Sequence, residues 1–186
     1  MAGMFSAWLS EWRQRRQAVA YVAALRREPS EDDVQWLATA ATQGDLDRAR
    51  WELRYARAAL GLVAAERDAL DDRTPSLIAR EIAGALHADP RVAAQMVKVA
   101  EQQFNERLSS FRHALTDRAA TSALTERLGD MLLRLSGTPA PNAEVRARAS
   151  AIVARLLDEA NSALREHFGS AVLPPDVRPS LLDARR

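Results

Sequence analysis

Four carboxylates crowd one short stretch of this chain: Glu66, Asp68, Asp71 and Asp72. At that spacing they leave from neighbouring turns of a helix, and converging carboxylate oxygens are the ligands that a hard cation such as Mg²⁺ takes. The same stretch carries its own neutralisation. Arg67 stands four residues before Asp71, the separation at which opposite charges meet on a helix, and Arg73 follows directly. The cluster therefore reads as a solvated set of charges at a helix end, and no metal or cofactor is expected. Isoprenoid synthases hold Mg-pyrophosphate with paired aspartate motifs, whereas this chain has a single cluster.

The histidines offer less. His87, His113 and His167 are far apart, and the chain has no HExxH, no Glu-x-x-His pair, no GxSxG or GxGxxG and no phosphate loop. It also has no cysteine, which excludes disulfides, thiolate nucleophiles and thiolate metal sites. The expectation is a non-enzymatic protein. A small-ligand sensor, or an enzyme whose site is assembled only in space, ranks third among the readings.

The N-terminal segment carries a different chemistry. Phe5, Trp8, Leu9 and Trp12 share one helical face, and Arg13, Arg15 and Arg16 follow at once. Aromatic residues beside arginines are what an interfacial helix uses at a membrane surface. A core-packing helix uses the same apolar residues, and Val19 and Ala23 extend the face past any anchor, so packing is the expectation. Arg13, Arg15, Arg16, Arg26 and Arg27 could line a basic stripe for nucleic acid. No DNA-binding helix pair or aromatic RNA platform accompanies them.

Such residues act only where a scaffold holds them. With 186 residues the chain is long enough for one core. Its 47% hydrophobic and 27% charged residues are too apolar for a disordered chain and too charged for a membrane-embedded one. The net charge of +1 supplies no strong field for polyanions. Lys98 is the only lysine, so the basic side chains are almost all arginine, as a GC-rich coding sequence would produce. No apolar run approaches the ~20 residues of a membrane span, and charges interrupt the N-terminus where a signal peptide would be apolar. A cytoplasmic location is the default.

Helical spacing recurs from end to end and strand-like alternation never persists, which predicts an all-α antiparallel bundle of about six to seven helices. A first helix spans Met4 to Arg27, and Ser30 caps a second that reaches Gln43. Gly44 and Asp45 then stop one helix and start the next with almost no loop. Thr74-Pro75 and Asp89-Pro90 each place proline at a helix start, predicting helices to about Ala88 and Arg118. Leu124 to Leu135 mark another helix, closed by Ser136-Gly137. Asn142 caps the last, which stops at Phe168-Gly169. The bundle is thus assigned to residues 1–169, with 1–28 as a semi-independent N-terminal helix, and residues 170–186 as a proline-containing flexible tail.

The central helix, 45–73, carries two apolar series. Leu46, Ala49, Leu53, Ala56, Leu60, Val63 and Leu70 form one stripe. Trp51, Tyr55, Ala58, Leu62, Ala65 and Ala69 form another, about half a turn away at ~100° per residue. Such a helix is central in its bundle or keeps one face for another chain.

Gly44, Asp45, Ala49, Leu53 and Ala56 resemble the small-residue skeleton of one tetratricopeptide repeat, over about 25 residues. A second copy would need small or apolar residues where Ile78, His87 and Pro90 stand, so the array is absent and no peptide-binding residue is implied. The functional expectation is protein–protein contact, above all self-association, through Trp51, Tyr55 and Leu62 on the second stripe and Phe5, Trp8 and Trp12 on the first helix. The alternative is a peripheral membrane or nucleic-acid adaptor built on the N-terminal Trp/Arg helix.

Overall fold

The computed structural model describes the backbone of residues 2–69, 71–116, 122–138 and 141–169, and the side chains of these except 2–7 and Ser10. Among them are seven α-helices, one 3-10 turn and no strand. The helices are α1 (Ala2–Leu25), α2 (Glu31–Ala40), α3 (Leu46–Asp68), α4 (Arg73–His87), α5 (Val97–Thr116), α6 (Leu124–Ser136) and α7 (Ala143–Phe168). The all-α bundle expected from the stripes is the fold observed. The proline-containing tail assigned to 170–186 lies outside the described residues.

Capping side chains set several of these ends. Ser30 accepts a hydrogen bond from the Asp33 amide at 3.2 Å, Asp45 from Arg48 at 2.9 Å and Asn142 from Val145 at 2.9 Å. Each satisfies an amide that the first helical turn leaves without a partner. Between α2 and α3 the backbone passes through positive φ at Gln43 and Gly44, and the Gly44 amide reaches back 2.8 Å to the Ala38 carbonyl. That is the left-handed helix end at which glycine is favoured.

Two helix starts differ from expectation, and an aspartate explains each. The Asp71 carboxylate accepts from the amides of Arg73 (3.0 Å) and Thr74 (2.6 Å). The central helix therefore ends at Asp68 rather than at 73, and Thr74 lies inside α4 instead of capping it. Asp89 likewise accepts from the Arg91 amide at 3.0 Å and also binds its guanidinium. The chain around Pro90 is held as a turn, a 3-10 turn follows at Ala94–Met96, and α5 begins only at Val97. Ala93, expected on the buried stripe, is exposed. Two other helices also stop short, α1 at Leu25 rather than Arg27 and α2 at Ala40 rather than Gln43.

Directions follow from paired contacts. Tyr21–Gly61 (2.9 Å) and Glu28–Arg54 (2.6 Å) advance in opposite senses, so α1 and α3 are antiparallel. Tyr55–Gln103 (3.2 Å) and Glu66–Arg112 (3.0 Å) advance together, so α3 and α5, separated by α4, run the same way.

One contiguous apolar core takes residues from all seven helices, and α3 packs against each of the other six. Ala49, Leu53, Ala56, Leu60 and Val63 of its first stripe are buried, whereas Leu46 is 47% exposed and Leu70 lies outside the described residues. Burying a leucine contributes about 1.5–3 kcal/mol, so this stripe alone accounts for much of the attachment of α3.

Candidate interaction surface

The second stripe of α3 is covered within the same chain. Tyr55 is 6% and Leu62 2% exposed, and Ala65 is fully buried. Leu62 borders a cleft shared with Phe104 and Leu108 of α5 and Ala79, Ala83 and Leu86 of α4, and both helices pack against α3. The expectation that Tyr55 and Leu62 offer a free face is corrected: α4 and α5 supply the second partner such a helix requires. From this series Trp51, Ala58 and Ala69 are partly exposed, and Trp51 is the one large side chain among them.

The N-terminal helix reverses expectation in the other direction. Its core-facing residues are Ala18, Tyr21, Val22 and Leu25, all buried. Trp8 (60% exposed), Trp12 (50%) and Val19 (49%) lie about a third of a turn away on the 100° wheel. Leu9 is also exposed. These four are most of the large apolar side chains the described residues leave in solvent, the others being Leu46, Met96 and Val99. Core packing by this stripe is therefore overturned, because the smaller stripe takes the core instead. Phe5 belongs to the same series, and its side chain lies outside the described residues.

Charge frames this exposed stripe. The Arg16 guanidinium stacks 4.7 Å from the Trp12 ring. Arg15, on the border of the stripe nearest α4 and 3.4 Å from Glu81, and Glu11, 2.9 Å from Arg73, tie that side of α1 to α4.

A second feature surrounds Trp51. Beside it α1, α3, α4 and α5 leave a cavity of about 60 Å³, walled by Val22, Leu25, Tyr55, Ile82, Leu86 and Phe104 among others. Arg26, Arg54, Asp89 and Arg91 stand at its polar edge. Arg54 and Arg91 also approach the Trp51 ring, at 4.9 and 5.9 Å. Asp89, its side chain 6% exposed, is held at two points by the Nε–Nη2 edge of Arg91, at 2.8 and 2.6 Å, and approached by Arg26 at 3.4 Å. Glu28 bridges Arg54, at 2.6 Å, and the remaining nitrogen of Arg91. Hydrogen bonds from Arg91 hold the Asp89 carboxyl well below the usual range against the opposing effect of burial. Burial also opposes ionisation of Glu28, and the bonds from Arg54 and Arg91 outweigh it, so that carboxyl too is lowered. No local motif announces this network, whose members come from segments up to 63 residues apart.

The acidic stretch disperses. Glu66 pairs with Arg112, Asp68 with Arg67 at 2.7 Å, and Asp71 caps α4. The expected Arg67–Asp71 pair is not formed, because Asp71 lies beyond the end of α3 and turns to the amides of the next helix. Among the described residues no three His, Asp or Glu side chains converge on a point. His87 pairs with Glu101 at 2.5 Å, and His113 and His167 sit near the ends of α5 and α7. No helix among the described residues is long and apolar enough to cross a membrane. The chain matches no protein-family model, no curated protein and no solved structure.

Proposed function

We propose that the protein acts without bond chemistry, as a helical module that associates with a second copy of itself through the outer face of α1. One observation carries the reading: Trp8, Trp12 and Val19 are about half exposed on a helix whose other face is anchored in the core. Large apolar side chains clustered in solvent mark contact surfaces, and tryptophan and arginine are the residues that most often dominate such contacts. The pattern is also self-complementary. Trp8, Trp12, Arg15 and Val19 follow at intervals of four, three and four, the alternation of a coiled-coil seam. That series reads the same in both directions, so an antiparallel copy sets Trp8 against Val19 and Trp12 against Arg15. A two-fold contact requires this reciprocity, and a guanidinium over an indole is favourable. A cytoplasmic setting, with no membrane or nucleic acid engaged, belongs to the same reading.

Light scattering of native protein tests it. The expected result is a dimer that the Trp8→Glu/Trp12→Glu variant converts to a monomer of unchanged helicity. A monomeric wild type at high micromolar concentration overturns self-association. The peripheral membrane reading has a specific observation behind it, Arg16 stacked on Trp12 beside the exposed stripe. Co-flotation of a monomeric wild type with anionic vesicles, lost in the same variant, would put it first.

A further inference from the structure

We infer that the cavity beside Trp51 is a binding site for a short-chain aliphatic carboxylate, and that Glu28 occupies the position of the ligand's carboxylate when the site is empty. The walls are apolar, contributed by Val22, Leu25, Ile82, Leu86 and Phe104 with the Tyr55 ring. Three arginines stand at the edge, and only two carboxylates, Glu28 and Asp89, answer them. An apolar chamber ending in a guanidinium pair suits a molecule with a hydrocarbon end and one negative charge.

Size restricts the ligand further. A cavity of ~150 Å³ accommodates benzene and ~10–15 Å³ accommodates one water. At about 60 Å³ this one takes an alkyl group of three or four carbons. The two carboxylates already present are not equivalent. Asp89 is buried, chelates Arg91 at two points and also holds the Arg91 amide, so it is part of the turn at Pro90. Glu28 is 54% exposed and lies in the link between α1 and α2, held only through Arg54 and Arg91. Swinging it into water leaves two guanidiniums facing the same point. A ligand carboxylate can replace it there, with its alkyl end in the cavity.

Titration with 3-methylbutanoate, followed through the Trp51 indole N–H resonance, tests the site. Wild type should bind weakly. Glu28→Gln removes the competing charge and should bind about tenfold tighter, the size of one charged hydrogen bond. Arg54→Met should lose the binding, and Ala85→Leu, which fills the cavity, should lose it while remaining folded by circular dichroism. The neutral 3-methylbutanamide should bind at least tenfold more weakly than the acid. If neither wild type nor Glu28→Gln binds at millimolar carboxylate, the inference is overturned. Equal binding of the amide and the acid, or binding unaffected by Ala85→Leu, overturns it as well.

Discussion

The Tyr21 hydroxyl donates 2.9 Å to the carbonyl of Gly61, forty residues away, at a point where Tyr21 has no solvent exposure. The bond satisfies a buried phenol, and the missing side chain of Gly61 is what lets α1 come so close. A Cβ at Gly61 would lie 2.5 Å from Leu25 Cδ1 and 2.6 Å from Cδ2.

The same comparison at a second glycine yields an ordered prediction. At Gly129 a Cβ would meet the Ser150 backbone nitrogen at 2.7 Å and its Cα at 2.9 Å, where α6 crosses α7. Leu25 has a flexible end and borders the cavity, so Gly61→Ala can be absorbed and should cost about 1 kcal/mol. Backbone cannot yield in that way. Gly129→Ala should cost about 3 kcal/mol, and urea unfolding that finds the two equal or reversed refutes this account of the crossings.

Glu52 and Arg107 form an ion pair between α3 and α5 with side chains 5% and 12% exposed, joined at 2.6 and 3.1 Å. Removing one partner strands a desolvated charge, so Glu52→Leu or Arg107→Leu should each cost about 3–5 kcal/mol. The double variant should be more stable than either single one. A strictly additive cycle would show that the two side chains do not depend on each other.

The fold was legible where local chemistry decides it. Ser30, Asp45 and Asn142 announce their helices by side-chain reach alone, and the first stripe of α3 is apolar at every turn. It was ambiguous where two answers share one spacing. On α1 the larger stripe, Trp8, Trp12 and Val19, read as the core face, yet Tyr21, Val22 and Leu25 are buried because α4 and α7, with α3 at Gly61, pack against α1 there. That choice depends on partners distant in sequence. The Glu28–Arg54–Arg91–Asp89 network was invisible for the same reason, and its one local signal, Trp51 and Arg54 three apart on one helix, went unread. Proline marked the start of α4 to within two residues at Thr74-Pro75 but misled at Asp89-Pro90, where the Asp89 side chain holds a turn and α5 begins only at Val97.

The lowered carboxyls set the acid limit. In the unfolded chain Asp89 and Glu28 take protons near their ordinary values of 3.8 and 4.5, while the folded chain resists them. Their stabilisation is present above those values and is lost as pH falls through the lower folded ones. The melting temperature should fall progressively as pH drops below about 5 and keep falling below about pH 3, less steeply in Asp89→Asn. At the alkaline end burial pushes the Tyr21 phenol up from 10.0, so its contribution is present below that value and fades as pH rises above it. Tyr21→Phe should flatten the alkaline limb, and an unchanged limb would mean that another group governs it.

The two apolar faces of α3 and the outer face of α1 separate cleanly by mutation. Leu53 (3% exposed) and Leu60 (fully buried) belong to the first stripe of α3, and truncating either to alanine should cost about 2–5 kcal/mol. Leu62, on the second stripe, is covered by α4 and α5 of its own chain. Leu62→Glu therefore buries an unpaired charge in the monomer itself. It should unfold the protein or strongly destabilise it, instead of releasing a folded subunit from an assembly. Trp12→Glu places the same charge on a residue 50% exposed and should leave thermal unfolding of the isolated chain within about 0.5 kcal/mol of wild type. Circular dichroism melts of Leu62→Glu and Trp12→Glu decide the matter. A stable, fully helical Leu62→Glu would mean that α4 and α5 do not close over α3, returning the contact surface to the central helix.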